Sequence, residues 1–517
     1  MRGEERLFAT EDVRSELRTR SVRSGAVTVA ARGVQMLVFL GSAMVFARLL
    51  TPSDFGVQAM VFPIAILVNN IANLGLQSAI IHREKLDARD ANQMFWLALR
   101  ANLAITGAMA LLAPLLERFY HEPRVFGVTL LWAATIYGAT LSAVQEALLK
   151  RQMRFGLVMK AQLAALVASV IVAVGAAVMG LGYWTLMIQV TVMELGRVAI
   201  MWVVCPWRPS RIARHDGEAG EGLTALRRYW ATLSGSRALS WLGDQFDRVM
   251  VGSIGGAAVL GLYDGARRWS GYAFQELFLS LSDVAVGGLS RLQHDADRYR
   301  AYLRNIFLPI LSIAIPVMTF IFVDAREVLR VLLGDQWLNA DGFVRVMCVW
   351  AIAGSLIKLM QWVYMSRGDT DRQLRWTLVS TPVNVIAVLI GARHGTFGVA
   401  LWTAGSTCAL AIPSLWNALR FSPVTVGECL LVFARPALAS LAGGALLLAA
   451  GGHLSVPLPA LVSLMIRASI FGSGYVLAWL AIPGGGRAFR DLAGGMLALR
   501  TSRAPDGGAS VMPASSA

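Results

Sequence analysis

Arg237, Trp241, Asp244 and Arg248 follow one another at steps of four, three and four residues inside an otherwise apolar stretch, so a helix carries all four on one face, with Asp247 at its edge. The next apolar stretch continues the theme with Asp264, Arg267, Arg268, Gln275 and Ser282 close to one face, and with Glu276 and Asp283 elsewhere. Arg32, Gln35 and Ser42 stripe the first apolar stretch and Asn70, Asn73 and Gln77 the second; Arg48 ends the first, and Lys358 lies alone in a later one. An ionisable group is expensive against hydrocarbon and therefore faces a cavity or a partner. Both readings stay open. Asp244 with Arg248, and Asp264 with Arg268, can neutralise each other at i,i+4 in packed interfaces. Arg32, Arg237, Arg267 and Lys358 are expected to remain unpaired and to line a cavity. Glu194 and Arg197 read as a structural i,i+3 pair, and Arg100 as a side chain reaching back to headgroups. Asn70 and Asn73 serve either as cavity lining or as hydrogen-bonding links between helices.

The elements that position these residues are membrane spans. The chain has 517 residues, of which 56% are hydrophobic and only 15% charged, a composition that excludes a soluble protein of this length. About fourteen stretches of bilayer-crossing length run from 26–50 to 458–482; of these, 229–254 and 258–290 carry the most charge. The first apolar run, about 25 residues, is too long for a signal peptide. Net charge is +15, and its distribution explains it. With residues 1–25 inside, alternate links hold about 30 Lys and Arg, against about 6 on the other side: Arg48, Arg118, Arg124, Arg326, Arg330 and Arg393. This predicts cytoplasmic termini and removes nucleic acid as a partner.

Two internal echoes predict duplication. Phe55-Gly56 after the first span aligns with Leu260-Gly261 after the seventh, and Gly182-Tyr183-Trp184 before the sixth resembles Phe397-Gly398 before the twelfth. The expected plan is all-α and polytopic: an N-lobe of six spans (26–204), a cytoplasmic link (205–228) and a C-lobe of six spans (229–419). A pseudo-twofold axis along the membrane normal relates the lobes. Two further helices (435–482) and a disordered tail (483–517) follow, and a cytoplasmic segment (1–25) precedes.

Soluble-enzyme signatures are missing: no GxxxxGK[ST] loop, no HExxH, no GxSxG elbow. The longest outer link, 324–341, has no DxD, and its Asp335 and Asp341 read as solvated loop residues. Cys205, Cys348, Cys408 and Cys429 form no CxxC pair; they read as buried thiols and build no metal site.

Two blocks resemble a known family. The first runs Ala47-Arg48-Leu49-Leu50-Thr51-Pro52-Ser53-Asp54-Phe55-Gly56 and then Asn73-Leu74-Gly75-Leu76-Gln77-Ser78-Ala79; the second runs Asp244-Gln245-Phe246-Asp247-Arg248 through Gly261-Leu262-Tyr263 to Leu289-Ser290-Arg291. Both are similar to polysaccharide exporters of the colanic-acid type, in the oligosaccharide flippase branch of the multidrug/oligosaccharidyl-lipid/polysaccharide flippase superfamily. The resemblance covers about residues 22–420. It implies a two-lobed bundle in the bacterial inner membrane that moves an undecaprenyl-diphosphate-linked oligosaccharide outward by alternating access. It implies no catalysis and no cofactor beyond a coupling ion or the membrane potential. A polysaccharide polymerase and chain-length machinery are the expected protein partners. Arginines in the cavity would complement the diphosphate, in two tiers: Arg32, Arg237 and Lys358 toward the cytoplasm, Arg48, Arg248, Arg267 and Arg268 toward the outside. Asp244, Asp247, Asp264 and Glu276 depart from a purely cationic cavity. The alternatives are a drug or cation antiporter of the same superfamily, with Glu146 or Glu194 as its titrating acid, and a membrane polysaccharide polymerase or ligase.

Overall fold

A computed structural model describes residues 17–72, 80, 86–210, 220–451 and 459–482, with side chains described for these apart from 17–32, 72, 220–240, 273, 280, 283 and 451. Helices and short turns account for the described residues, and no strand occurs among them. The N-terminal set is α1 (Leu17–Leu49), α2 (Pro52–Ala72), α3 (Ala88–Leu111), α4 (Ala113–Tyr120), α5 (Arg124–Thr140), α6 (Ala143–Arg151), α7 (Phe155–Val178) and α8 (Trp184–Val204). The C-terminal set is α9 (Gly220–Arg291), α10 (Ala296–Val323), α11 (Ala325–Leu332), a 3-10 turn (Asp335–Ala340), α12 (Asp341–Arg367), α13 (Thr370–Ala392), α14 (Gly395–Leu419), α15 (Val426–Gly451) and α16 (Ala460–Ala481).

Although α9 is 72 residues long, it is not straight. Gly256 adopts φ 69° and ψ −173°, a conformation open to glycine, and the chain reverses there. Side-chain bonds prove the reversal. Arg267 reaches the Asp247 carboxylate and the Asp244 carbonyl, residues 20 and 23 positions away, whereas a straight helix separates residues 20 apart by about 30 Å. The break thus falls between the two charged stretches expected at 229–254 and 258–290. We call the arms α9a (220–255) and α9b (257–291).

Among the described residues eleven helices are long and apolar enough to cross a membrane, or twelve if α5 and α6, bent by 41°, form one span. The fourteen stretches expected are not reproduced as fourteen separate long helices. One of the eleven, Trp241–Tyr272, runs through the Gly256 reversal, and α1 enters only as the shorter segment Gly33–Leu49. Large apolar side chains such as Leu111, Val203 and Met179 are about four-fifths exposed, as they must be when the surrounding solvent is lipid. Cys205, Cys348 and Cys429 are buried as expected; Cys408 is exposed, because its side of α14 faces outward.

Alternate turns gather at one end of the bundle. Arg124 donates to Ser53 at 3.0 Å, Arg48 donates to the Val331 carbonyl at 2.6 Å, and Gly255 lies against Thr396. These links are the Arg-poor ones. At the opposite, Arg-rich end Trp96 donates to the Ser210 carbonyl at 2.9 Å and Arg300 to the Pro423 carbonyl at 2.7 Å.

The two sets of helices meet mainly along α2 and α9. A core at this seam draws Val57, Met60 and Val61 from one set and Leu260, Tyr263 and Trp337 from the other. Toward the Arg-rich end the cores separate: one holds Phe95, Val144 and Leu148, another Phe307, Leu359 and Trp362, with no shared member. The seam closes backbone to backbone. A Cβ on Gly56 would stand 1.6 Å from the Ala257 carbonyl oxygen, and one on Gly261 would stand 1.8 Å from that of Pro52. The aligned Phe55-Gly56 and Leu260-Gly261 turns therefore pack against each other.

Gly261→Val should destabilise the protein by at least the ~1–3 kcal/mol typical of overpacking, because backbone rather than a flexible side chain blocks the added atoms. Melting of the detergent-solubilised protein measures this, with Gly287→Ala as control, since a Cβ there meets nothing within 4 Å. Equal melting of the two variants would contradict the close approach.

Candidate functional site

The charged stripe of α9 forms a compact cluster across the hairpin. Asp247 and Asp264 are buried, at 3% and 6% exposure. Asp247 takes Arg267 as its ion-pair partner and accepts the Tyr263 hydroxyl at 2.5 Å. Asp264 holds two arginines, Arg248 at 2.7 Å and Arg268 at 3.1 Å. Arg248 also donates to the Gln245 side-chain oxygen at 2.5 Å. Aromatic faces complete the shell: the Arg267 guanidinium lies 4.5 Å from the centre of the Trp350 ring, and that of Arg248 lies 5.5 Å from Phe62.

Two expectations are corrected here. The i,i+4 pair Asp244–Arg248 does not form, because the reversal at Gly256 sets Asp264 opposite Arg248. Arg267, expected to be free, is paired with Asp247. The pair Asp264–Arg268, one of the two readings left open by the sequence, forms. Asp244 is exposed and has no ion pair among the described residues. Lys358 donates to Gln275 at 2.5 Å, joining two residues that the sequence stripes left unrelated.

Arg48 lies elsewhere, at the Arg-poor end, where it fastens α1 to the C-terminal set. The last carbonyls of a helix lack partners within it. Here Trp337 donates to the Ala47 carbonyl at 2.8 Å, and Gln336 donates to the carbonyls of Ala47 and of Leu50, the latter at 2.9 Å. Phe55 packs edge-on to Trp337. Trp241 reaches from α9a to the Pro63 carbonyl of α2. Asn70 is half-buried near the end of α2. The side chains of Arg32 and Arg237, and all of Asn73 and Gln77, lie outside the described residues.

Between the separated cores lies a cavity of about 760 Å³. Its N-terminal wall comes from Gln35, Met36 and Phe39 of α1, Gln162 and Leu166 of α7, and Met193, Glu194 and Arg197 of α8. The facing wall is α9b, through Tyr272, Glu276, Leu279 and Ser282. Phe39 and Tyr272 stack across the gap, ring centres 5.6 Å apart and planes within 8°. Arg197 donates to Glu194 at 2.5 Å and to Glu146 at 3.0 Å, and Glu146, 3% exposed, also binds Lys150 at 2.7 Å. The expected Glu194–Arg197 pair is thus part of a four-residue network.

Among the described residues, Gln35 is the one expected site residue on this wall. The α9 cluster lies outside the lining. Sequence reasoning missed Phe39 and Tyr272, whose types carry no signal of lining in an apolar helix, and Gln162, an amide within the apolar α7 that forms no stripe with other polar residues. Glu276 was visible as a charge off the main stripe.

The described residues form a helical bundle, fastened at one end and holding a polar cavity between two groups of helices, the architecture of a membrane transporter. Residues 45–341, more than half of the chain, match the family described as polysaccharide biosynthesis protein, and the chain belongs to that family. It is 22% identical over 471 residues to the succinoglycan biosynthesis transport protein of Rhizobium meliloti, covering 90% of this chain and 92% of that one. It is 18% identical over 389 residues to a lipopolysaccharide biosynthesis protein of Escherichia coli, covering 74% and 78% respectively. Among solved structures, the lipid II flippase MurJ in an inward closed conformation superposes with a TM-score of 0.67 at 14% identity, over 91% of this chain and all of that one. An inward-facing multidrug transporter of the MATE family gives 0.59 at 15% identity, over 77% and 98%. At these identities the superpositions show a shared fold.

Breaking the buried Arg267–Asp247 pair should cost about 3–5 kcal/mol by stranding a charge. Arg267→Ala therefore lowers membrane abundance and melting temperature, and the double change Asp247→Ala/Arg267→Ala recovers part of both. Wild-type stability of Arg267→Ala would return Arg267 to the list of free cavity cations.

Proposed function

We propose that the protein is a flippase that carries a lipid-linked oligosaccharide repeat unit across the bacterial inner membrane for assembly of a surface polysaccharide. The observation that carries this reading is the polar cavity between helix sets whose cores merge at one end and part at the other. A polar head needs such a compartment; a polyprenyl tail needs only the lipid outside. Family membership and the named roles of the relatives point the same way. The two sets act as lobes, α1–α8 and α9–α14, with α15 and α16 as additional helices, and fourteen crossings put both termini in the cytoplasm. The basic bias of the links supports that orientation. In it, the fastening around Ala47, Trp337 and the Gly56–Gly261 contact closes the outer side, and the cavity lies toward the cytoplasm, as uptake of a cytoplasmic substrate requires. Export follows when the lobes rock and the outer fastening opens.

The antiporter alternative needs an acid free to load and release a proton. Both of its candidates, Glu146 and Glu194, are held by Arg197, which favours the flippase reading. A polymerase or chain-length protein would accept the exported unit on the far side.

Topology is checked by reporter fusions. Those after residues 88, 155, 215 and 295 should report cytoplasm, and those after 53, 121, 256 and 335 the opposite side. The same side reported by two neighbouring fusions, other than those after 155 and 215 between which α7 and α8 both cross, would remove a crossing.

Transport is checked in proteoliposomes containing a fluorescent polyprenyl-diphosphate oligosaccharide. The purified chain should render the inner-leaflet pool accessible to an external glycosidase, while protein-free vesicles leave it protected. Protection in both would overturn the flippase reading.

A further inference from the structure

The cavity has chemistry of its own. Its one described cation is already neutralised, because the two terminal nitrogens of Arg197 hold Glu146 and Glu194. Among the described residues, Glu276 on the opposite wall has no ion pair, so the described wall presents a spare carboxylate and no spare cation. Among these residues a diphosphate would find no counter-charge there. What remains is suited to sugars. Gln35 and Gln162 offer amides with no hydrogen-bond partner among the described residues, each with two donors and an acceptor. Ser282 accepts the Trp362 indole N–H at 2.8 Å, which leaves its own hydroxyl hydrogen free to donate. Phe39 and Tyr272 offer flat apolar rings to the hydrophobic face of a pyranose.

We propose that this cavity is the glycan subsite and that Glu276 sets its specificity. It accepts pyranoses that are uncharged or carry an amino group and repels those that carry a carboxylate. The sugar displaces one ring of the Phe39–Tyr272 stack and takes its place on the other. That stack joins α1 to α9b, so glycan entry breaks a contact between the two lobes while the diphosphate stays outside this wall, toward the Arg-rich end. This inference rests on the flippase reading and adds the class of sugar and the residues that select it.

The test uses the full chain in nanodiscs and three probes sharing one short-chain polyprenyl diphosphate: bare, bearing a neutral disaccharide, and bearing the same disaccharide with a terminal uronic acid. Binding is measured calorimetrically. The neutral disaccharide should tighten binding about tenfold over the bare diphosphate, and the uronic probe should lose that gain. Tyr272→Ala should abolish the gain and leave affinity for the bare probe unchanged. Glu276→Gln, which keeps hydrogen bonding and removes charge, should restore the gain to the uronic probe. Melting curves confirm that both variants are folded. If either variant unfolds, Phe39→Leu and Glu276→Asp replace them, with the former expected to reduce the neutral gain and the latter to keep the exclusion. Equal binding of bare and neutral probes, or of neutral and uronic probes by the wild type, overturns the inference while the flippase reading stands. Failure of the chain to bind any of the three probes overturns both.

Discussion

The structure depends on one contact: the backbone of the α1–α2 turn lying directly against the backbone of the α9 reversal. Gly56 and Gly261 have no side chain to keep Ala257 and Pro52 at ordinary distance, so two helical hairpins meet at their tips. Everything near that end follows. The carbonyls at the end of α1 come within reach of Gln336 and Trp337, and Leu260, Tyr263 and Met60 merge into one core. The approach is closest at the tips and continues along α2 and α9 as far as Trp241 and Pro63; beyond it the cores part, and the cavity is the space they leave.

The α9 hairpin settles a question of charge. A helix crossing the membrane with Asp and Arg on one face must find compensation, and here it finds it in its own returning arm. Arg248 with Asp264, and Arg267 with Asp247, are cross-hairpin pairs. Such pairs contribute little net stability relative to apolar packing but penalise any other register of the two arms. The charged cluster of α9 thereby becomes a staple between the two arms of the hairpin, and the described cavity wall carries amides, aromatic rings, Glu276 and the Glu194–Arg197 pair.

Much of the architecture was legible in the chain itself. Membrane class, helical content and the alternation of Arg-rich and Arg-poor links followed from hydropathy and charge, because a bilayer imposes span length and loop charge residue by residue. The Gly56 and Gly261 turns were visible as an internal echo, and the Glu194–Arg197 and Asp264–Arg268 pairs as i,i+3 and i,i+4 spacings, because both ends of such a contact lie on one helix.

Which charges remain free was not legible, because that depends on which helices become neighbours. Helical spacing offered Asp244 to Arg248, but the reversal at Gly256 delivered Asp264, 16 positions further along. Lys358 found Gln275 from 83 residues away, and Phe39 of α1 stacked on Tyr272 of α9b. The sequence alone determined that this protein spans a membrane and places polar groups within it, since each apolar run meets the bilayer independently. Only the tertiary structure decided which of those groups neutralise one another and which face the cavity, since electrostatic pairing acts over a few ångströms and the fold alone sets those distances.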